Sequence, residues 1–549
     1  MKYFISALII LFFSNISYAQ KVSESEMQKI VYDFLTYKGK SDLIKQQPET
    51  EKIMSEKTKN LLFCVFNYDN AFIVISANKR NIPVKAFSFK HRLNTNIRSH
   101  LLTVLKDDYE NFAKFLILNP EAGIRNYQKW ENPFPEKNVK DATYGPFLSS
   151  LYGQVNCHDN NGNLVNVTNY YTPNHFAVGC VALTFTEVMC YYNWPRKGIG
   201  SFSYTDSYGN STGTYDANFE EGYYNWGLIQ DRYNGVASTD QSRSELGKLA
   251  FRAAVSVSMD FENSGSTSNI NKVPSAVSKY FRYTADYKEK SAGDFWQLLD
   301  TNLHHNIPAQ FAIYTSSGAG HAVVGDGIQY VGSEKYYHLN MGWWGDDNGW
   351  YQIHQTFNAG GYTNVTAAVL NMIPVPEIDE NPELNFKNKT LVLKWYYSDK
   401  LSVQNYELQI KKDVNEWKTL TDTLTVKTYT FQTDGENDYF FRIRAKLNNN
   451  QDVSGWSNEI KIIPSDFTIP GEEDLTLHPT FVLYKLNISY KNLSGSIIKI
   501  FDLSGHLAEE TDNVNDNEYS IDVSGLNSGF YILQILNENE KKSAKFFKL

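Results

Sequence analysis

A chain of 549 residues is too long for a single hydrophobic core, because cores stop growing near about 250–300 residues; three or four domains are expected. An apolar fraction of 42% beside 21% charged residues excludes wholesale disorder. Lys+Arg of 52 against Asp+Glu of 61, a net charge of −9, excludes the concentrated cationic surface that a nucleic-acid partner requires. Cys64, Cys157, Cys180 and Cys190 are too few for a disulfide scaffold, so each asks for its own reason.

At the N-terminus Lys2 precedes an apolar run from Ile5 to Phe13, and Ser17-Tyr18-Ala19 follows as a small-x-small cleavage site. This is the layout of a secretory signal peptide over residues 1–19. The run is less than half of the ~20 residues that span a bilayer, and no later run reaches that length. An exported chain with no stable membrane span is expected.

Helix and strand signals then mix. Ser23-x-x-Glu26 is a capping box, followed by Met27, Ile30, Val31, Phe34 and Leu35 at helical spacing. Leu61–Phe66 and Ala71–Ala77 are apolar runs joined by Asn67-Tyr68-Asp69-Asn70, a hairpin signal, with Cys64 as an inert core thiol. The polar, Pro-containing stretch Trp130–Lys140 reads as an exposed linker open to proteolysis. A larger segment runs to Pro374, and Pro374, Pro376 and Pro382 punctuate a second linker. Beyond it the text is all strand: Leu391–Trp395, Tyr406–Ile410, Tyr439–Ala445 and Ile460–Ile463, then Lys485–Ser489, Ile497–Asp502, Tyr519–Val523 and Phe530–Leu536. Short strands separated by Asn/Asp/Gly turns predict β-sandwiches.

The chemistry lies between Gly145 and Trp350. After Gly179-Cys180, the residues Phe185, Val188, Met189 and Tyr192 form one apolar helix face, which must stop before Pro195. Cys180 therefore sits at a helix N-terminus, where unpaired N–H groups and the helix dipole favour thiolate. Cys190, mid-helix, is expected to be packed. His321 lies at the mouth of the apolar strand Gly320–Val324, and a hairpin through Gly332–Lys335 returns Tyr336–Asn340 toward it. A Cys at a helix start, a His on a strand and an Asn amide to fix the imidazole make a nucleophile–base–orienter set. His321 follows Cys180 by 141 residues and Asn340 lies 19 further on, the spacing of papain-like peptidases. An oxyanion hole needs the Cys180 N–H and a side-chain amide, for which Gln154 is the upstream candidate.

Gly145-Pro146-Phe147-Leu148, Tyr152-Gly153-Gln154, Gly179-Cys180-Val181-Ala182, Tyr191–Pro195, Gly320–Gly327 and Tyr337–Trp343 together resemble the streptopain family of secreted cysteine peptidases. The resemblance implies an α+β architecture: a papain-like two-lobed catalytic domain (136–375), preceded by an α+β inhibitory propeptide (20–135) and followed by two all-β sandwich modules. It implies Cys180 as nucleophile, His321 as general base and acid, Asn340 as orienting residue and Gln154 as oxyanion donor. Ser266 (in a loop with Met259-Asp260-Phe261), Gly320 and Trp343 match substrate-binding positions. Residues 377–465 are similar to a fibronectin type III module through Trp395, Tyr439 and Ser454-Gly455-Trp456-Ser457. Residues 467–549 resemble a type IX secretion sorting domain through Ile500–Gly505 and Leu526–Tyr531. The expected partners are protein or peptide substrates, the chain's own propeptide and the type IX secretion machinery. Delivery is expected through the periplasm to the exterior or the cell surface.

Two departures stand out. Asn340-Met341-Gly342-Trp343-Trp344 replaces the family's Asn-Trp-Gly-Trp-Gly, so Met341 takes the place of the Trp that covers the His–Asn bond, with Trp344 a possible substitute cover. Val155-Asn156-Cys157-His158 replaces a Pro-Tyr-Asn-like stretch after Gln154, which leaves Cys157 either packed or partly exposed. Two other readings remain open: a catalytically weak or dead scaffold acting as an adhesin, and a Cys-dependent acyltransferase or amidase. No metal or cofactor is expected. Adjacent His304 and His305 point apart, and Gly345–Gly349 reads as a tight turn rather than a Ca²⁺ loop.

Overall fold

A computed structural model of the chain describes residues 21–55, 59–93, 126–131, 133–134, 142–314, 320–332, 334–353, 365–385, 388–447, 451–463, 475–490, 492–512, 514–537 and 541–549. The expected signal peptide and most of the linker after Trp130 lie outside the described residues. The chain divides into two units, one of residues 1–375 with 398–402, the other of residues 376–397 with 403–549.

In the first unit, α1 (Glu24–Tyr37) starts at the expected capping box, with Ser23 and Glu26 satisfying each other's backbone N–H groups. It buries Met27, Ile30, Val31, Phe34 and Leu35. Strands β1 (Glu49–Met54), β2 (Leu61–Tyr68), β3 (Ala71–Ser76) and β4 (Val84–Ser88) follow. The runs in β2 and β3 are continuous rather than alternating because both faces are covered. Cys64, Phe66, Ile73 and Ile75 join the α1 core, while Phe63, Val65, Phe72 and Val74 join the core of the later strands.

Helices α2 (Cys180–Tyr192), α3 (Asp240–Ser256) and α4 (Val273–Tyr280) come next, then β5 (Tyr283–Glu289), α5 (Phe295–His304) and β6 (Ala309–Tyr314). The expected hairpin forms as β7 (Gly320–Val331) and β8 (Glu334–Asn340), followed by β9 (Gly349–Tyr351) and β10 (Val365–Pro374). All join one antiparallel sheet in the order β1-β2-β3-β4-β9-β8-β7-β6-β10-β5. The junction is β4 with β9, where Phe87 pairs with Trp350 and Ala86 with Tyr351. The N-terminal four strands and the six strands that carry the site are thus one hydrogen-bonded surface.

The second unit is all β. The first of its two modules holds β11 (Thr390–Tyr396) in one sheet and β12 (Val403–Lys412) with β13 (Tyr439–Leu447) in another. Buried Trp395 meets Tyr406 across them, ring centroids 5.5 Å apart. Residues 475–549 form three- and five-stranded sheets around Leu486, Ile488, Ile498, Ile500, Leu533 and Ile535. The α+β class and its ordering of elements are as expected.

Candidate active site

Cys180 opens α2, and Gly179 before it has φ 87°, a conformation that disfavours side chains. A Cβ at 179 would also lie 2.5 Å from Met259 Sδ, so the approach of this turn to the 259–268 loop demands glycine. The Cys180 thiol is half-buried and faces a cavity of about 480 Å³. Burial pushes its pKa up, and the N–H groups of Ala322, Val181 and Cys180 itself oppose the rise. The helix end acts as expected, but desolvation outweighs it in this state, so the expected net lowering is corrected. A thiolate here needs the imidazole to take the proton.

His321 lines the same cavity from the start of β7. Its Nε2 lies 2.9 Å from the Met341 carbonyl. A carbonyl only accepts, so this nitrogen carries the hydrogen, and in the neutral imidazole Nδ1 is the acceptor. Trp343 stacks on the ring, centroids 5.0 Å apart and planes within 22°.

The expected His321–Asn340 bond does not form. Register is the reason: Asn340 pairs with Val324, three residues along β7, while His321 pairs with Ile313 on β6. The Asn340 amide instead donates to the Ser150 carbonyl (2.9 Å) and Glu187 Oε1 (3.2 Å), and its Oδ1 accepts from the Gly342 N–H (3.1 Å). Its main chain leads into Met341, whose carbonyl takes the orienting position. The residue type at 341 leaves no trace of this role, because the acceptor is backbone.

Gln154 lines the cavity, and its side-chain amide has no protein partner among the described residues. Its carbonyl accepts from the Val178 N–H at 2.9 Å, tying it to the turn before Cys180. Trp344, expected as a substitute cover for the His, packs on Gly153 instead; a Cβ there would meet its indole at 2.4 Å. The Trp344 N–H donates to the Tyr152 carbonyl (2.9 Å) and Gly153 bridges to Trp343. The turn that orients His321 therefore also holds the segment that carries Gln154.

Ser266 and Gly320 both line the cavity. The Ser266 hydroxyl is spoken for: it donates to the Ala177 carbonyl and accepts from the Glu262 N–H. Only its backbone is left for a ligand. Trp343 belongs to the imidazole rather than to the cavity wall. Of the other thiols, Cys157 is buried, which decides its open placement, and burial lifts both Cys64 and Cys157 to about 11. Among the described residues no group of three or more His, Cys, Asp or Glu side chains is arranged to hold a metal ion.

Residues 159–351 match the Peptidase C10 family, residues 19–113 the Spi protease inhibitor family, and residues 479–548 the secretion system C-terminal sorting domain. Streptopain of Streptococcus pyogenes serotype M1 is 25% identical over 338 residues, 55% of this chain and 78% of that protein. Among solved structures, a Prevotella intermedia prointerpain A fragment aligns at 19% identity and TM-score 0.45, covering 59% of this chain and 98% of the fragment. Active interpain A from the same organism aligns at 24% identity and TM-score 0.34, covering 43% and 97%.

Proposed function

We propose that this chain is a streptopain-like cysteine endopeptidase precursor, with a Peptidase C10 domain between an inhibitory prosegment and a sorting domain for secretion or surface attachment, and that Cys180, His321 and Gln154 carry its reaction, with the Met341 carbonyl orienting the imidazole. The observation that supports this most is the single cavity into which the thiol, the imidazole and an uncommitted amide all open.

His321 Nδ1 takes the Cys180 proton, and the sulfur attacks the peptide carbonyl carbon. A C–S bond forms as the carbonyl becomes an oxyanion, held by the Cys180 N–H and the Gln154 amide. The imidazolium then gives its proton to the departing nitrogen as the C–N bond breaks. Water, deprotonated by the imidazole, attacks the thioester; the C–S bond breaks and the acid leaves. The Met341 carbonyl stabilises the imidazolium through both halves without changing protonation. Backbone positions of Ser266 and Gly320 are offered to the substrate chain.

The domain assignment follows the sequence: prosegment 20–135, catalytic domain 136–375, a fibronectin type III-like module 377–465 and sorting domain 467–549. The β4–β9 pairing supports latency in which the prosegment is seated as part of the catalytic sheet. The test is hydrolysis of a denatured protein by the purified chain. Cys180→Ala should abolish it, and the wild type should yield a fragment starting between Lys129 and Ala142. An epoxysuccinyl probe should label the wild type at Cys180 alone. Full hydrolysis by Cys180→Ala rejects the assignment.

A further inference from the structure

Glu187 is a fully enclosed carboxyl group in the middle of α2, and the reaction above makes no use of it. It stands seven residues after Cys180, close to two helical turns, and so on nearly the same face. Its Oε1 accepts from the Asn340 amide at 3.2 Å, and the Tyr152 backbone N–H lies close enough to the same carboxyl to oppose the rise in its pKa. Both partners lead straight into the site. Asn340 precedes Met341, whose carbonyl holds His321. Tyr152 lies two residues before Gln154, and its own carbonyl accepts from Trp344 in the orienting turn. One side chain on the nucleophile's helix thus reaches both the segment of the oxyanion donor and the turn of the base.

The group's state fits a neutral anchor. Burial first, and then nearby Asp326, push its pKa well above the usual carboxylate range. Asp326 is itself occupied by His338 Nδ1 at 2.6 Å and the Leu148 N–H at 3.0 Å. Glutamine would keep the Oε1 acceptor that the Asn340 amide uses. An apolar side chain would take one of that amide's two acceptors, leaving only the Ser150 carbonyl, and remove the polar group beside the Tyr152 N–H; these positions sit one residue from Met341 and two from Gln154.

We propose that Glu187 is a positioning residue for the peptidase reaction, fixing the spacing between the Cys180 helix, the Met341 carbonyl that holds His321 and the segment that carries Gln154. This rests on the assignment of those groups made above.

The experiment compares Glu187→Gln, Glu187→Ala and Glu187→Met in the full chain after maturation. It reads kcat and KM on a denatured protein substrate, melting temperature, and the pH profile of iodoacetamide reaction at Cys180. Gln should keep kcat within about threefold of wild type and leave the alkylation profile in place. Ala and Met should lower kcat by roughly 10- to 100-fold, the scale of a small misplacement of reacting groups, with KM nearly unchanged and the alkylation midpoint moved. Met matches the volume of Glu and carries the comparison if Ala does not fold. The proposal is overturned if a folded apolar variant keeps wild-type kcat and alkylation profile, or if Gln loses as much as Met. Cys180→Ala runs alongside: if it stays active the site assignment has failed, and if it is dead while Glu187→Met is unimpaired only the positioning role has failed.

Discussion

The imidazole of His321 is oriented by the main-chain carbonyl of Met341, 2.9 Å from Nε2, while the neighbouring Asn340 side chain turns away into a buried network with Ser150 and Glu187. Because the acceptor is backbone, the side chain at 341 serves the fold more than the chemistry. Met341→Leu should leave kcat unchanged. Met341→Ala should cost about 2–5 kcal/mol of stability through the cavity it opens in a fully buried site, with little loss of turnover per folded molecule. Thermal unfolding together with titration of active sites separates the two effects.

Trp343 is the residue that covers the imidazole. Removing the stacked indole in Trp343→Ala lets water compete for the His321–Met341 hydrogen bond, and kcat/KM should fall by about tenfold or more, on the scale of other lost positioning contacts. Trp343→Phe should recover a large part of it. A Trp343→Ala enzyme with wild-type kcat/KM would remove the cover role.

Gly153 carries a sharper test of the segment that presents Gln154. Even the methyl group of Gly153→Ala would overlap the Trp344 indole, displacing either that segment or the turn. The expected result is a folded protein with kcat reduced by at least about tenfold and KM nearly intact. Circular dichroism and steady-state kinetics on the same preparation check it.

Acid should loosen the prosegment. Burial and the nearby His338, Lys90 and Arg232 hold His91 down to about 4, against an ordinary value near 6.5. Between these values the undocked segment binds more protons, so docking weakens as pH falls from 6.5 toward 4. Glu26, held at about 2 by Lys79 and the Ser23 N–H, adds stability that is likewise present above its ordinary pKa of 4.5 and lost below it. Maturation of the precursor should therefore speed up on mild acidification, and His91→Asn should flatten the response between pH 6.5 and 4. Timed electrophoresis of the precursor across that range reads both.

Asp260, in the loop that carries Ser266, behaves in the opposite sense. Burial, then Asp206 and Glu262, raise its pKa. Folded Asp260 binds its proton more tightly than the unfolded chain does, so stability is highest in acid and declines as pH rises through the raised value. Asp260→Asn should raise the melting temperature at pH 7 relative to the wild type, and by more there than in acid. Differential scanning calorimetry at the two pH values decides it.

Much of this was legible in the order of residues. The capping box before Met27 and the apolar face after Cys180 both rest on local periodicity, and both elements formed where the spacing put them. Cys180, His321, Gln154, Ser266 and Gly320 were readable because their residue types carry the chemistry or stand in recognisable blocks, and one cavity gathers all five. Asn340 was an easy choice because the hairpin does return it toward His321, but it pairs with Val324, three residues short, even after the one-residue ladder shift between Gly325 and Gly327. The Met341 carbonyl was invisible in principle, as every residue has one. The net rise in the Cys180 pKa was missed because burial is a property of the assembled fold, whereas the helix dipole can be read from sequence.

The β4–β9 junction has a consequence for the enzyme once its prosegment departs. Cutting the covalent connection leaves the pairing of Phe87 with Trp350 and Ala86 with Tyr351 untouched, so release is a separate step of peeling four strands from a rim. The strand edge then bared is Gly349–Tyr351, three residues long, and with it the apolar face that Phe63, Val65, Phe72 and Val74 had covered. A rim so short gives another polypeptide little backbone to zip onto, so whatever covers this face next must hold by apolar packing more than by strand pairing.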